Sequence, residues 1–307
     1  MKPDLSIVIP AYNEIESLPS LKQAIESYCA RAKMSLQFVF VDDGSSDGTF
    51  EALSQWEMAD CQLKIVKLSR NFGSHPAMRA GIFHASADYV MVYSSDMPEP
   101  LEDATLFYEG LQNGNELVYS VRAGYKGDLG SRIFSKLINK CIDANYPAQG
   151  ILGVAFGPKI KQELNTDIES NSQIFFQIFK LGFRQKSIVA TYNEREQGES
   201  KWTLTKKIQL FIDSFVMFSY MPIRIISTTG ILMSLIGFVW ALGIVIAKAF
   251  NIVEFAAGWP TMISIMLLGF GITNISLGII AEYLVRTLDV ARNKKTFIVD
   301  EVIETNK

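Results

Sequence analysis

The sequence predicts an α/β protein with a mostly parallel sheet, followed by an interfacial helix and two transmembrane helices. Three observations carry that prediction. Short apolar runs rich in Val, Ile and aromatic residues alternate with helix-like stretches through residues 1–120. The four loops after the first four runs are polar and turn-rich. Two long stretches near the end, Ile225–Ala247 and Phe255–Ala281, contain no charged residue.

Taken in order, the predicted strands are Leu5–Ile9, Phe38–Val41, Leu63–Leu68, Tyr89–Tyr93 and Leu117–Val121. Helical spacing covers 14–32, 47–58, 75–86 and 101–113. Helices of this length between strands imply parallel crossovers and a sheet covered on both faces. Ligands of such sheets bind beyond the carboxyl ends of the strands. Those ends are "PAYNE" (10–14), "DDGSSDGT" (42–49), "SRNFG" (69–73) and "SSDMPEP" (94–100). Farther on, "RAGYKGDLGS" (122–131) reads as a glycine-rich loop and 132–145 as a helix. "PAQGILGVAFGP" (147–158) reads as a strand with tight turns, 168–181 as a helix and Ser187–Thr191 as a strand.

From residue 203 the pattern changes. Ile208, Phe211, Ile212, Phe215, Val216 and Ser219 share one helical face, with Lys206, Lys207, Gln209 and Asp213 off it. That suits a helix lying in a membrane interface. At about 1.5 Å per residue, each uncharged stretch can cross a hydrocarbon core roughly 30 Å thick. The expected organisation is a cytoplasmic domain at 1–202, an interfacial amphipathic helix at 203–222 and transmembrane helices at 223–248 and 259–284. A short extracytoplasmic loop (249–258) joins the two crossings, and a cytoplasmic tail (285–307) ends the chain. Basic residues set the orientation: Arg195, Lys201, Lys206, Lys207 and Arg224 precede the first crossing, and Arg286, Arg292, Lys294 and Lys295 follow the second. Both flanks are therefore expected on the cytoplasmic side of the plasma (inner) membrane.

Composition narrows the function. The chain has 307 residues and is 49% hydrophobic, with a mean hydropathy of +0.17, which favours membrane segments. A net charge of -3 without a basic block gives no nucleic-acid footprint. Cys29, Cys61 and Cys141 lie far apart in sequence, lack metal-type spacing and read as reduced cytosolic thiols. His75 and His84 form no metal pair and read as surface or packing residues.

"IVIPAYNE" (7–14), "VDDGSSDGT" (41–49), "LSRNFG" (68–73), "REQGESKW" (195–202) and "LGIIAEYLVR" (277–286) occur in that order. Together the ordered tracts resemble the family 2 inverting glycosyltransferases with a GT-A (Rossmann-like) fold. The nearest likeness is to the polyprenyl-phosphate glycosyltransferases, the GtrB-like and dolichol-phosphate mannose synthase-like group. The resemblance covers almost the whole chain. It implies a nucleotide-sugar donor, a UDP-sugar foremost, a Mg²⁺ or Mn²⁺ cofactor and a membrane polyprenyl (undecaprenyl) phosphate acceptor. It also implies a role in cell-surface glycan or O-antigen modification, a homo-oligomer and a flippase-type membrane partner.

Residue roles follow from that likeness. Pro10, Tyr12 and Glu14 match positions that contact the nucleotide. Tyr12 offers a flat face to a base, Pro10 is expected to stop sheet pairing, and Asn13 and Glu14 can equally cap the next helix. Asp42 is the implied base contact with Asp43 in support, while the same tract also reads as a turn with an N-cap at Ser46 or Asp47. Arg122, Arg195 and Lys201 are the expected grips on the donor phosphates, since cations beside a departing diphosphate lower the barrier. Ser200 adds a hydroxyl. Arg195 and Lys201 can also meet anionic head groups.

Two tracts depart from the family pattern. Where the family usually carries Asp-x-Asp followed by Gln, this chain has Ser94, Ser95, Asp96, Met97 and Pro98. Asp96 remains the expected metal ligand with donor phosphate oxygens, and Ser94 and Ser95 are expected near ribose or a metal-bound water. The family's "GDF" tract is replaced by "GILGVAFG" (150–157), which has no acid. Two other readings stand beside transfer to a polyprenyl phosphate. One is transfer to the hydroxyl of a lipid-linked saccharide, and the other is a degenerate nucleotide-sugar-binding scaffold.

Overall fold

The computed structural model describes residues 2–94, 100–122, 147, 151–166, 174–190, 259–291 and 295–305, together with isolated helical or turn positions between 228 and 250. The chain divides into two compact units, residues 1–207 with 294–307, and residues 208–293.

The first unit is built on an eight-stranded sheet. Its strands are β1 (Leu5–Ala11), β2 (Leu36–Asp42), β3 (Gln62–Leu68), β4 (Tyr89–Val92), β5 (Leu117–Arg122), β6 (Val154–Phe156), β7 (Gln185–Ala190) and β8 (Val299–Thr305). They lie in the order β7-β5-β6-β4-β1-β2-β3-β8. The pairs β1–β2, β1–β4, β2–β3 and β5–β7 are parallel. The short β6 runs antiparallel between β4 and β5, and β8 runs antiparallel along β3. The mostly parallel α/β sheet expected from the sequence is therefore present.

Side chains alternate across the strands and feed two apolar layers. Leu5, Ile7 and Ile9 of β1 join Leu36, Phe38 and Phe40 of β2 on one face. That layer packs on α1 (Leu18–Cys29), α2 (Thr49–Ser54) and α4 (Asp103–Gln112). Val8, Val39, Val41 and Val66 face the other way, toward α3 (Ser74–His84), α5 (Pro158–Thr166) and α6 (Ile174–Lys180). Burial on both faces explains why these strands read as near-continuous hydrophobic runs. Contact on the α3 face is tight: a Cβ placed on Gly81 would lie 2.2 Å from Cγ1 of Val8.

One expectation is corrected here. Pro10 does not end the sheet, because β1 continues to Ala11 with Pro10 in register with Val41. Alternation accounts for this. The Val8 carbonyl accepts from the Tyr93 N–H on the β4 side, and the Ala11 carbonyl accepts from the Asp43 N–H on the β2 side. Pro10 shares the parity of Val8, so its missing N–H faces past the end of β4, where no ladder partner is needed. The strand β8 and the helix α5 are elements that the sequence reading did not anticipate.

The second unit contains α7 (Trp259–Ala291), which displays Met262, Ile265, Met266, Phe270, Ile275, Leu277, Ile280 and Leu284 as exposed side chains. Among the described residues no helix combines the length and apolarity needed to cross a membrane. The two expected crossings are thus not shown. The first (223–248) and the interfacial helix (203–222) fall almost wholly outside the described residues, and the second uncharged run begins upstream of Trp259.

Candidate active site

The parallel strands β1 to β4 end at the same edge of the sheet, so the loops after Ala11, Asp42, Leu68 and Val92 meet there. Hydrogen bonds lace the first two loops together. The Asn13 N–H donates to Oγ of Ser45 at 3.0 Å, and the Ser46 N–H returns a bond to Oδ1 of Asn13 at 2.9 Å. The Glu14 N–H donates to Oγ1 of Thr49 at 3.0 Å. Asp47 accepts from the Ile15 N–H at 3.1 Å and from both the N–H and the hydroxyl of Thr49 at 3.0 and 2.6 Å. Those bonds outweigh burial and hold the Asp47 carboxyl below the usual range. Asn13 adopts φ +53, a left-handed conformation that Asn tolerates better than most residues.

Asp43 ties in the third loop. It is buried, and its two carboxylate oxygens accept from the N–H groups of Phe72 and Gly73 at 2.7 and 2.9 Å. Burial nevertheless pushes its carboxyl up to about 6, with the neighbouring Asp42 adding to the effect. Gly44 lets the second and third loops touch: it has φ +67, and a Cβ there would stand 2.5 Å from the Arg70 carbonyl carbon.

Asp42 differs from both neighbours. It is fully buried, and one oxygen accepts from the Ser45 N–H at 3.2 Å. Among the described residues the other oxygen, Oδ1, meets no donor. Burial raises its carboxyl above the ordinary carboxylate range. An orphaned acceptor in such a place is costly unless a ligand supplies the donor. Tyr12, 44% exposed, stands one residue past the end of β1 at the same edge. The site can therefore offer an aromatic face and a buried acceptor, a pairing that suits a nucleobase.

The remaining expected residues divide into two groups. Pro10 sits in β1, and Glu14 accepts from the Ser17 hydroxyl at 3.0 Å, at the entry to α1. Ser94 is exposed just beyond β4, and Arg122 closes β5. Ser95, Asp96, Arg195, Ser200 and Lys201 lie outside the described residues. Among the described residues no cluster of three acidic, His or Cys side chains could hold a metal ion. Asp43 and Asp47 are committed to backbone N–H groups, and Asp96, the expected metal ligand, lies outside the described residues. Asp47 is the residue the sequence reading undervalued. It read as an N-cap, and its bond to Ile15 in the first loop joins partners that local spacing does not reveal.

Comparison with known proteins gives the family. The sequence profile of "Glycosyl transferase family 2" matches residues 6–189. A Bacillus subtilis protein described as "Uncharacterized glycosyltransferase YkcC" is 31% identical over 301 residues, 96% of this chain and 93% of that protein. The "Undecaprenyl-phosphate 4-deoxy-4-formamido-L-arabinose transferase" of Photorhabdus laumondii is 27% identical over 309 residues, 99% of this chain and 95% of that one. Among solved structures, Staphylococcus aureus TarS in complex with UDP-GlcNAc aligns at 16% identity with a TM-score of 0.45, over 71% of this chain and 67% of its own. A likeness of that size fixes neither ligand nor metal. The profile match and the full-length relatives are sufficient: this chain belongs to glycosyl transferase family 2 and is a glycosyltransferase.

Proposed function

We propose that this glycosyltransferase moves a sugar from a nucleoside diphosphate donor to a membrane polyprenyl phosphate, inverting the anomeric centre. The observation that carries the donor half is the orphaned Oδ1 of buried Asp42 at the same sheet edge as the exposed Tyr12. A base N–H, as in a uracil ring, supplies the missing donor while its flat face lies on Tyr12. The acceptor half is supported by relatives named for undecaprenyl-phosphate transfer, which match nearly end to end. It is supported too by the exposed apolar side chains of α7 and by the uncharged run at 255–281, both suited to lipid.

The chemistry asks little of a base. A phosphate monoester has a second pKa near ~6, so the acceptor is largely ionised at neutral pH. The enzyme must position it in line, exclude water and stabilise the charge on the departing diphosphate. Arg122, Arg195 and Lys201, with Ser200, are the proposed phosphate grips. Asp96 is the proposed ligand for Mg²⁺ or Mn²⁺, and Ser94 and Ser95 are the proposed contacts to the ribose or to a metal-bound water. The catalytic domain is proposed to work on the cytoplasmic side of the plasma membrane.

The test supplies membranes containing the protein with labelled nucleotide sugars and undecaprenyl phosphate, with and without Mg²⁺ or Mn²⁺. A labelled product that extracts into organic solvent and is cleaved by mild acid is expected, and Asp96→Ala should abolish it. Donor binding without any lipid-linked product, across a broad donor panel, would sink the proposal.

A further inference from the structure

Asn13 does not cap a helix. The first helix, α1, begins at Leu18 behind Ser17, and the Asn13 side chain turns instead to the second loop. There Oδ1 of Asn13 accepts from the Ser46 N–H at 2.9 Å, while the Asn13 N–H donates to Oγ of Ser45 at 3.0 Å. On the other side of Tyr12, the Ala11 carbonyl accepts from the Asp43 N–H at 2.9 Å, and Ala11 is in register with Asp42. Tyr12 is thus a single residue whose two neighbours are both tied to the loop that carries Asp42. We propose that Asn13 is a positioning residue for the donor base, whose clip to Ser45 and Ser46 fixes where Tyr12 stands relative to Asp42.

The place demands this residue type. Asn13 has φ +53, in the left-handed region that Asn and Gly adopt more readily than other residues. Glycine would accept that backbone but offers no oxygen to the Ser46 N–H. Ser45 serves both halves of the arrangement: its hydroxyl accepts from Asn13, and its N–H donates to Oδ2 of Asp42 at 3.2 Å. That second bond leaves Oδ1 of Asp42 as the oxygen that meets no donor among the described residues. The two bonds of Asn13 lie on the surface, where water competes for the same groups, so they add little to the stability of the fold. Their effect falls on binding. A Tyr12 backbone fixed in advance spares the ligand the entropy of ordering it, which is how preorganisation raises affinity. The inference rests on the reading of Tyr12 and Asp42 as the base site.

The test titrates the full-length protein with UDP, GDP, CDP and dTDP by calorimetry, and the tightest of the four becomes the probe for variants. Asn13→Gly keeps the backbone conformation and removes the oxygen. Its affinity should fall about 3- to 10-fold, the cost of ordering one side chain on binding, with a melting temperature within a few degrees of wild type. Ser45→Ala removes the acceptor of the Asn13 N–H and should lose affinity likewise, whereas Ser45→Thr keeps a hydroxyl and should restore it. The deciding measurement uses a Tyr12→Ala background. Adding Asn13→Gly there should weaken binding less than about twofold further, because Asn13 acts through Tyr12. An undiminished loss in that background would overturn the positioning role and leave the base site standing, as would wild-type affinity in both Asn13→Gly and Ser45→Ala. Failure of the wild type to bind any of the four nucleotides, or full affinity in Tyr12→Ala, would sink the base site and this role with it.

Discussion

Asp42 and Gly44 sit two residues apart and constrain the site in different ways. Asp42 is buried with one satisfied oxygen and one that meets no donor among the described residues, so removing its charge should cost the fold little. Asp42→Asn is expected to melt within a few degrees of wild type or above it. The same change replaces an acceptor with a group that can also donate, so donor binding should weaken about 10- to 100-fold, the range for losing a hydrogen bond to a charged group. Calorimetric titration with UDP and a thermal melt separate the two effects; unchanged affinity would remove Asp42 from the base site. Gly44→Ala has the opposite profile. A Cβ at 2.5 Å from the Arg70 carbonyl carbon and 2.7 Å from the Asn71 nitrogen must displace backbone, and the positive φ alone costs about 1–3 kcal/mol. Denaturant unfolding should show a loss of at least that size, and wild-type stability would mean that the second and third loops do not touch as described.

At the scale of elements, the loop after β2 and the start of α3 carry two titratable groups, Asp43 buried and His75 half-buried, with opposite pH behaviour. Asp43, pushed up to about 6 from an ordinary 3.8, holds a proton more tightly in the folded chain. Its contribution to stability is full below 3.8 and is lost as pH rises through about 6. His75, packed edge-on against Phe175, is held down to about 4 from 6.5 by burial and by the Arg79 cation. Its contribution is full above 6.5 and is lost as pH falls toward 4. Between pH 4 and 6 the two slopes oppose each other. Melting temperatures of wild type, Asp43→Asn and His75→Gln across pH 4–7 should expose them: the wild-type advantage over Asp43→Asn shrinks as pH rises, and that over His75→Gln grows. Parallel curves would show that neither group titrates within the window. These elements also show what a sequence can carry. The runs at 5–9 and 38–41 were legible because strands buried on both faces are apolar at nearly every position, and 63–68 because Leu63, Ile65, Val66 and Leu68 are buried around the half-buried Lys64 and Lys67. Asp43 was legible as a carboxylate at a strand end. Its partners Phe72 and Gly73 were not, because they are set by how two crossovers bring distant loops together. The strand β8 was illegible for a further reason. "VDEVIET" is an edge strand with exposed acids, a pattern that protects an edge from further pairing and also reads as a tail.

The pairing of β8 with β3 fixes the connectivity of the whole molecule. Residues 294–307 belong to the same compact unit as residues 1–207, and the register runs from Leu63↔Thr305 to Leu68↔Val299. Lys64 and Glu304 anchor it with an ion pair at 2.6 Å, and the Ser69 N–H donates to the Ile298 carbonyl at 3.0 Å. The chain therefore leaves this unit at residue 207 and must return to it by residue 294. Inserted in a bilayer as proposed, residues 208–293 can cross an even number of times or lie in the interface, whereas a single crossing would tear β8 from the sheet. In the proposed topology, the basic residues flanking the apolar stretches put the sheet on the cytoplasmic side by the positive-inside rule. Tags at the two ends of the chain should then be digested together by protease only when the inner membrane is opened, and a tag inserted at 251–254 should be digested from outside if the chain crosses twice. Protection of one terminus and exposure of the other in intact spheroplasts would break the β3–β8 pairing and the two-crossing reading together. Cytoplasmic termini with a protected 251–254 tag would keep the pairing and leave the second unit lying on the membrane rather than through it.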